Sequence, residues 1–403
     1  MKYNFDEVID RRNTNAMSLG GYRSYLFGAS DTLNSDYADE DLIPMWIADM
    51  EFASPPAVIE AVKERADHGI FGYSQIFDPS YKQAFLNWSK HYYNWDFDPN
   101  HLVTSQGVIP ALFALVKYIC APDEKVLIMT PSYAFFKLAT EGNGRELITS
   151  DLLYENGNYT IDFEDFRKKA ADEKVTLTIF CNPHNPTGRV WSDNELLQFG
   201  EICLENNVMI ISDEIHCDLL RKENTFTPLS RIFPESDSII TCMAPSKTFN
   251  MAGFMIANII ISNEVLREQW KKEQIPINNP LSIAAAQAAY SQGHEWLSEL
   301  QKYLDGNFAF LKAYLSKHLP KAIFKIPEAT YLAWVNLSAY LPHEENLTLF
   351  FANKAGVLLE GDNMFVDNGA GHIRLNLACP RARLEQGLDR ITIAIRNKNR
   401  TNS

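Results

Sequence analysis

The sequence predicts an α/β fold, with a large domain over residues 45–283 built on a mainly parallel sheet and a smaller α+β domain formed by residues 1–44 and 284–403. Three observations predict it. From Met45 to about Ile283, short β-branched apolar runs recur. Amphipathic stretches of helical length separate them, and towards the C-terminus the runs give way to apolar–polar alternation.

Residues 1–44 are polar and irregular, with Gly20-Gly21 and an acidic stretch near Asp36–Asp41. The apolar runs that follow are Val126–Met129, Leu177–Phe180, Val208–Ile211, Ile239–Cys242 and Ile259–Ile261. Without polar alternation they read as strands covered on both faces. Helical intervals such as Asp193–Glu205 imply βα crossovers and hence parallel pairing. A helical stretch covers about Ser282–Phe310 and continues through Leu311–Leu319. Tyr331–Leu337 and His372–Ala378 alternate and read as half-buried strands, and a helix closes the chain near Arg383–Arg396. No internal repeat or low-complexity tract interrupts this order.

Of the 403 residues, 46% are hydrophobic and 22% charged, the balance of a globular protein. The net charge of −14 argues against nucleic acid or an anionic membrane as a partner, because phosphates are repelled at long range. Local helix dipoles can still hold an anionic cofactor. Met1–Asp6 has no apolar stretch of the signal-peptide kind, and no window approaches the roughly 18 apolar residues of a membrane span. The longest, Phe254–Ile261, is broken by Asn258. The six cysteines show no CxxC spacing and no zinc-type cluster, so no metal site is expected. Their apolar neighbours mark reduced core thiols, which suits the cytoplasm.

Four segments carry chemistry. Ser105-Gln106-Gly107-Val108-Ile109-Pro110 precedes the apolar helix Ala111–Cys120; glycine permits close backbone approach, and the free N–H groups of a helix start attract an anion. Gly-Pro helix starts are common, so this signal alone is weak. Asn182-Pro183-His184-Asn185-Pro186-Thr187-Gly188 follows the run ending at Cys181. It is turn-rich on any reading, but it puts the Asn185 amide at the carboxyl edge of the sheet, where α/β proteins bind ligands. Ser212-Asp213-Glu214-Ile215-His216 offers a carboxylate at a strand end, as a helix cap or as a site residue. Ala244-Pro245-Ser246-Lys247-Thr248-Phe249 offers a lysine among small and apolar neighbours, a setting that lowers an amine pKa and favours Schiff-base chemistry.

The gaps combine these signals. Asn185 to Asp213 is 28 residues (213 − 185) and Asp213 to Lys247 is 34 (247 − 213). Each fits one helix and one strand with their loops, so all three side chains leave the sheet at the same edge. A phosphate-binding helix start, an amide for a ring oxygen, an acid and a lysine are the parts of a pyridoxal 5′-phosphate (PLP) site. The lysine carries the cofactor as a Schiff base, and an acid at the pyridine nitrogen keeps the ring an electron sink.

At these residues the chain resembles the fold type I PLP-dependent enzymes, the aspartate aminotransferase superfamily. Within it, the chain looks most like the cystathionine β-lyase and cystalysin type of C–S lyase. The resemblance covers nearly the whole chain and is carried by Pro44–Phe52, Phe71-Gly72-Tyr73, Asp213–His216, Ala244–Gly253 and Arg374–Ala378. It implies a fold type I, transferase-like architecture and a homodimer with shared sites. Lys247 would hold the cofactor and then shuttle the Cα proton, Asp213 would pair with the pyridinium, and Asn185 would bond the ring hydroxyl. Tyr133 would stack on the ring, and Gly107, Val108 and Ser246 would hold the phosphate. Tyr73 would reach that phosphate from the other subunit, His216 would lie near the ring oxygen, and Arg374 would clamp the substrate carboxylate.

Three departures from the family pattern stand out. Thr14–Gly21 keeps little of the family's Thr-x-Ser-x-Lys-Trp; Ala134 stands where a second tyrosine often follows; and Val366 replaces a usual glycine after Phe365. The first two fall where a substrate side chain enters. The resemblance implies α,β-elimination of cystathionine or a related cysteine thioether to thiol, pyruvate and ammonia. An aminotransferase on the same scaffold is the alternative, and a PLP-binding regulatory protein a further one.

Overall fold

The computed structural model describes residues 2–28 and 33–401. Seven strands form its main sheet: β1 (Leu102–Ser105), β2 (Lys125–Thr130), β3 (Glu146–Asp151), β4 (Val175–Cys181), β5 (Met209–Asp213), β6 (Ile239–Met243) and β7 (Ala257–Ile261). Their order across the sheet is β1-β7-β6-β5-β4-β2-β3. Only β7 runs against its neighbours, pairing antiparallel with β6 and β1. The mainly parallel sheet is as expected.

Both faces of the sheet are covered, which is why its central strands are continuously apolar. Side chains alternate across a strand, so Val126 and Ile128 of β2 pack on one face while Leu127 and Met129 pack on the other. Helix α1 (Val108–Ile119) covers the first face with Ala111, Leu112, Leu115 and Val116. Helices α2 (Phe163–Ala170) and α3 (Asp193–Glu205) cover the second with Phe166, Leu196, Phe199 and Ile202. A capping box between Ser192 and Glu195 fixes the start of α3. Truncating one of these central side chains, such as Ile179→Ala, costs about 2–5 kcal/mol.

The two strands that the runs did not reveal, β1 and β3, are the two edges of the sheet. An edge is only partly covered, and β3 is partly exposed along most of its length, so its sequence Glu-Leu-Ile-Thr-Ser-Asp carries polar residues. The helical stretch after residue 280 is two helices, α4 (Pro280–Gln292) and α5 (His294–His318), broken at Gly293. There the Phe249 ring lies so close that a Cβ would come within 2.4 Å of it.

A second, three-stranded antiparallel sheet has β8 (Leu332–Asn336) and β9 (Glu360–Gly361) on either side of β10 (His372–Asn376). Helices α6 (Leu347–Ala355) and α7 (Arg381–Thr401), with the end of α5, pack a separate apolar cluster on it. The expected half-burial of these strands is corrected: every residue of β10 is buried, and only Asn336 of β8 is partly exposed. The alternate face turns inward, where Trp334 joins a cluster of the main sheet. The N-terminal segment is not irregular throughout either. It holds short helices at Met17–Gly20 and Tyr22–Phe27, and Ile43–Pro44 pairs in parallel with Val357–Leu358. All six cysteines are buried and free, and no helix among the described residues is long and apolar enough to cross a membrane.

Candidate active site

The carboxyl ends of β4, β5 and β6 lie side by side, with Cys181, Asp213 and Cys242 in one row across the strands. Asn185 and Lys247 sit just beyond their strands, so the crossovers deliver Asn185, Asp213 and Lys247 to a single edge. All three line a cavity of about 450 Å³.

Asp213 ends β5 at the cavity wall. Burial pushes its carboxyl up to about 6, against the pull of the Ile215 N–H and the Lys247 charge. The Ile215 N–H donates to Oδ1 at 3.2 Å. Lys247 lies in the single-turn helix Pro245–Thr248, and burial brings its amine down to about 8, with Asp49 the strongest opposing charge. An amine in this range is available as a base near neutral pH. Its Nζ donates to the Ala48 carbonyl at 2.6 Å, an oxygen that also accepts from Tyr331 at 2.8 Å.

Opposite the lysine, α1 begins at Val108 after Gly107, whose φ of 136° is open to glycine and rare for other residues. The first N–H groups of the helix have no carbonyl of their own turn to bond. Gly107, Val108 and Ser246 all line the cavity. Tyr133 lines it too, set on a short strand, Ser132–Tyr133, that pairs with Phe365–Val366. His216 is buried in the wall with its ring set edge-on to Tyr331 at 6.3 Å, and its Nδ1 has no hydrogen-bond partner among the described residues. Burial holds its pKa well below the ordinary imidazole value, so the ring is neutral.

Arg374 is 2% exposed, not the solvated arginine that an alternating strand suggests. Nη1 donates to Oδ1 of Asn185 at 3.0 Å and Nη2 to the Trp46 carbonyl at 2.9 Å. Glu360 stands directly across from it in the β9–β10 register and forms a buried ion pair with Nη2. Sequence reasoning missed Glu360. Its signal was an acid ending the apolar run Val357–Leu359, which places a charge where burial is expected. Tyr25 was missed as well; it reaches the cavity from the helix Tyr22–Phe27. Phe135 lines the wall, while Ala134 and Val366 do not. Tyr73 is the one expected site residue outside the cavity, and it is 95% exposed.

The residues present fit PLP. An anion-attracting helix start, a buried acid, a lysine of lowered pKa and an unpartnered imidazole nitrogen face one another across a cavity of suitable size. PLP is the cofactor that such a set accommodates.

The family "aminotransferase class I and II" matches residues 40–391. Cystathionine beta-lyase PatB of Bacillus subtilis is 39% identical over 97% of this chain and 100% of its own length. Among solved structures, the PLP-bound C–S lyase of Staphylococcus hominis superposes with a TM-score of 0.95 at 49% identity, covering 98% of each chain. Cystalysin of Treponema denticola, which contains PLP, superposes with a TM-score of 0.90 at 32% identity, over 98% of this chain and 100% of its own.

Proposed function

The chain belongs to the class I and II aminotransferase family, and we propose that it is a PLP-dependent carbon–sulfur β-lyase acting on cystathionine or a related cysteine thioether. One observation carries the reading. Lysine, acid and arginine converge on a single cavity in a chain that matches, end to end, relatives named as C–S lyases. These residues serve transamination equally well, and the lyase reading is preferred on the relatives' names.

Lys247 would hold the cofactor, Asp213 would face the pyridine nitrogen, and Asn185 would donate to the ring hydroxyl with His216 beside it. Tyr133 would lie against the ring. The Gly107 and Val108 end of α1, with Ser246, would hold the phosphate. Bound PLP supplies an electron sink that acidifies the α-proton of an amino acid. Arg374 holds the substrate carboxylate as a fork, which fixes the direction of the Cα–H bond and spares the entropy of aligning it. Freed as the substrate amine takes its place on the cofactor, Lys247 Nζ would take the Cα proton, and the Cβ–S bond would break with its electron pair leaving on the thiolate. The aminoacrylate product hydrolyses in water to pyruvate and ammonia.

We also propose a cytoplasmic homodimer. Tyr73 lies among exposed Ile70, Phe71 and Phe77, next to exposed Ile275 and Ile277, and an apolar face of this kind suits a second copy. Ser74 and Asn278 bridge the two segments. A second copy's Tyr73 would then complete each phosphate site. Six free cysteines suit a reducing compartment.

The test is to supply cystathionine to the cofactor-loaded protein without a keto acid and to assay pyruvate and free thiol. Both products are expected. Turnover only with an added keto acid would mark an aminotransferase, and no turnover with cofactor bound would leave the regulatory reading.

A further inference from the structure

The guanidinium of Arg374 is already engaged. A guanidinium grips a carboxylate through one of two forks, Nε with Nη2 or Nη1 with Nη2, and both forks need Nη2. Nη2 has two hydrogens. One goes to the Trp46 carbonyl at 2.9 Å, and the Glu360 carboxylate is ion-paired with the same nitrogen. Nε, the other half of the first fork, is buried without a partner among the described residues. The Trp46 carbonyl is backbone and fixed by the chain, whereas Glu360 is a side chain that can rotate. A substrate carboxylate can therefore fork onto Nε and Nη2 only when Glu360 gives way.

We propose that Glu360 is a resident carboxylate that occupies Arg374 in the substrate-free enzyme, and that substrate binds by exchange, with Glu360 taking a proton from solvent as it yields Nη2. Glu360 is a positioning residue in this scheme: it keeps Arg374 ordered and aimed at the cavity, and it sets a threshold that a ligand lacking a carboxylate does not cross. The charged and titratable groups facing it are Arg374 on β10, Lys247, Tyr25 and Tyr133. Burial raises its carboxyl pKa while Arg374 and Lys247 hold it down. A second carboxylate on Arg374 adds a like charge at close range, which favours protonation of Glu360. Substrate affinity is thus coupled to proton uptake.

This inference rests on Arg374 as the seat of the substrate carboxylate, and Arg374→Lys tests that separately. If R374K leaves KM for cystathionine unchanged, the seat is elsewhere and the reading of the site fails. Given a raised KM in R374K, Glu360→Gln decides the exchange. The amide no longer competes as an anion, so KM is expected to fall about tenfold, with a smaller change in kcat. A second readout does not depend on turnover. The holoenzyme is titrated by calorimetry with methylthiopropionate, a thioether carboxylate without an amine, in buffers of different ionisation enthalpy. Net proton uptake is expected in the wild type and none in E360Q. An unchanged or raised KM in E360Q, or binding of methylthiopropionate to the wild type without proton uptake, overturns the proposal. Should E360Q fail to hold its cofactor, the wild-type titration still decides, and Glu360→Asp, whose shorter acid falls back from Nη2, is expected to lower KM in the same direction.

Discussion

Nη1 of Arg374 donates to Oδ1 of Asn185 at 3.0 Å, across 189 residues of sequence. This bond joins the residue proposed for the substrate carboxylate to the residue proposed for the cofactor ring. It also fixes the Asn185 amide, because an oxygen turned to Arg374 leaves the NH₂ group facing the cavity as a donor. Replacing Asn185 by Ala should therefore weaken two functions at once. Cofactor affinity should fall and KM should rise, each by about tenfold, and in a double-mutant cycle with Arg374→Lys the KM effects should be less than additive.

Lys247→Ala should abolish the visible absorption band of the bound cofactor and lower turnover by at least about 10³-fold. The chain should still fold, since the amine is buried at a free-energy cost and its loss relieves that cost. Spectra and circular dichroism of the purified variant check both halves.

The Asp213 carboxyl predicts a pH dependence for the cofactor-free protein. Its folded value is about 6, against an ordinary 3.8. Below 3.8 it is neutral in both states and costs nothing; between the two values only the unfolded chain has released the proton, so stability falls as pH rises. Above about 6 the full penalty, on the order of 3 kcal/mol, is in place. Asp213→Asn should therefore be stabilising relative to the wild type above about pH 6, and this advantage should vanish below about pH 4. Thermal unfolding of both proteins across that range measures it, and a constant difference would contradict the assignment.

The Arg374–Glu360 pair should show strong coupling in stability. Arg374→Met alone strands a carboxylate in a buried site and should cost about 3–5 kcal/mol. Adding Glu360→Leu should recover a large share of that loss, because the double variant leaves no unpaired charge at these two positions. Denaturant unfolding of the four proteins gives the coupling directly.

A shared site predicts complementation between two inactive variants. Mixing Lys247→Ala with Tyr73→Ala subunits should produce hybrid dimers in which one of the two sites has an intact lysine and an intact tyrosine. Activity should recover to about a quarter of the wild type after unfolding and refolding of an equal mixture, as random pairing in a two-fold dimer requires. No recovery would place Tyr73 outside the neighbouring site.

Much of this protein is written locally. The buried strands β2, β4, β5, β6 and β7 could be read as apolar runs because both faces of each are covered, so every position selects for apolar side chains. Asn185, Asp213 and Lys247 could be read because each follows such a run at a crossover's spacing. The edge strands β1 and β3 could not, since their partly exposed positions admit polar residues that resemble a loop. Tyr25 was hidden because the helix that carries it, Tyr22–Phe27, is too short to repeat an apolar face.

By itself, then, the sequence determined the α/β class, the covered strands and the edge of the sheet at which the lysine, the acid and the amide emerge, because burial and crossover length act over tens of residues. Only the tertiary structure decided which charges meet. Arg374 belongs to a strand whose alternation looked half-exposed and Glu360 to a short strand that the sequence did not reveal, and closing the second sheet over the first buried both. A buried guanidinium and carboxylate must then find partners, and they found each other, Asn185 and the Trp46 backbone.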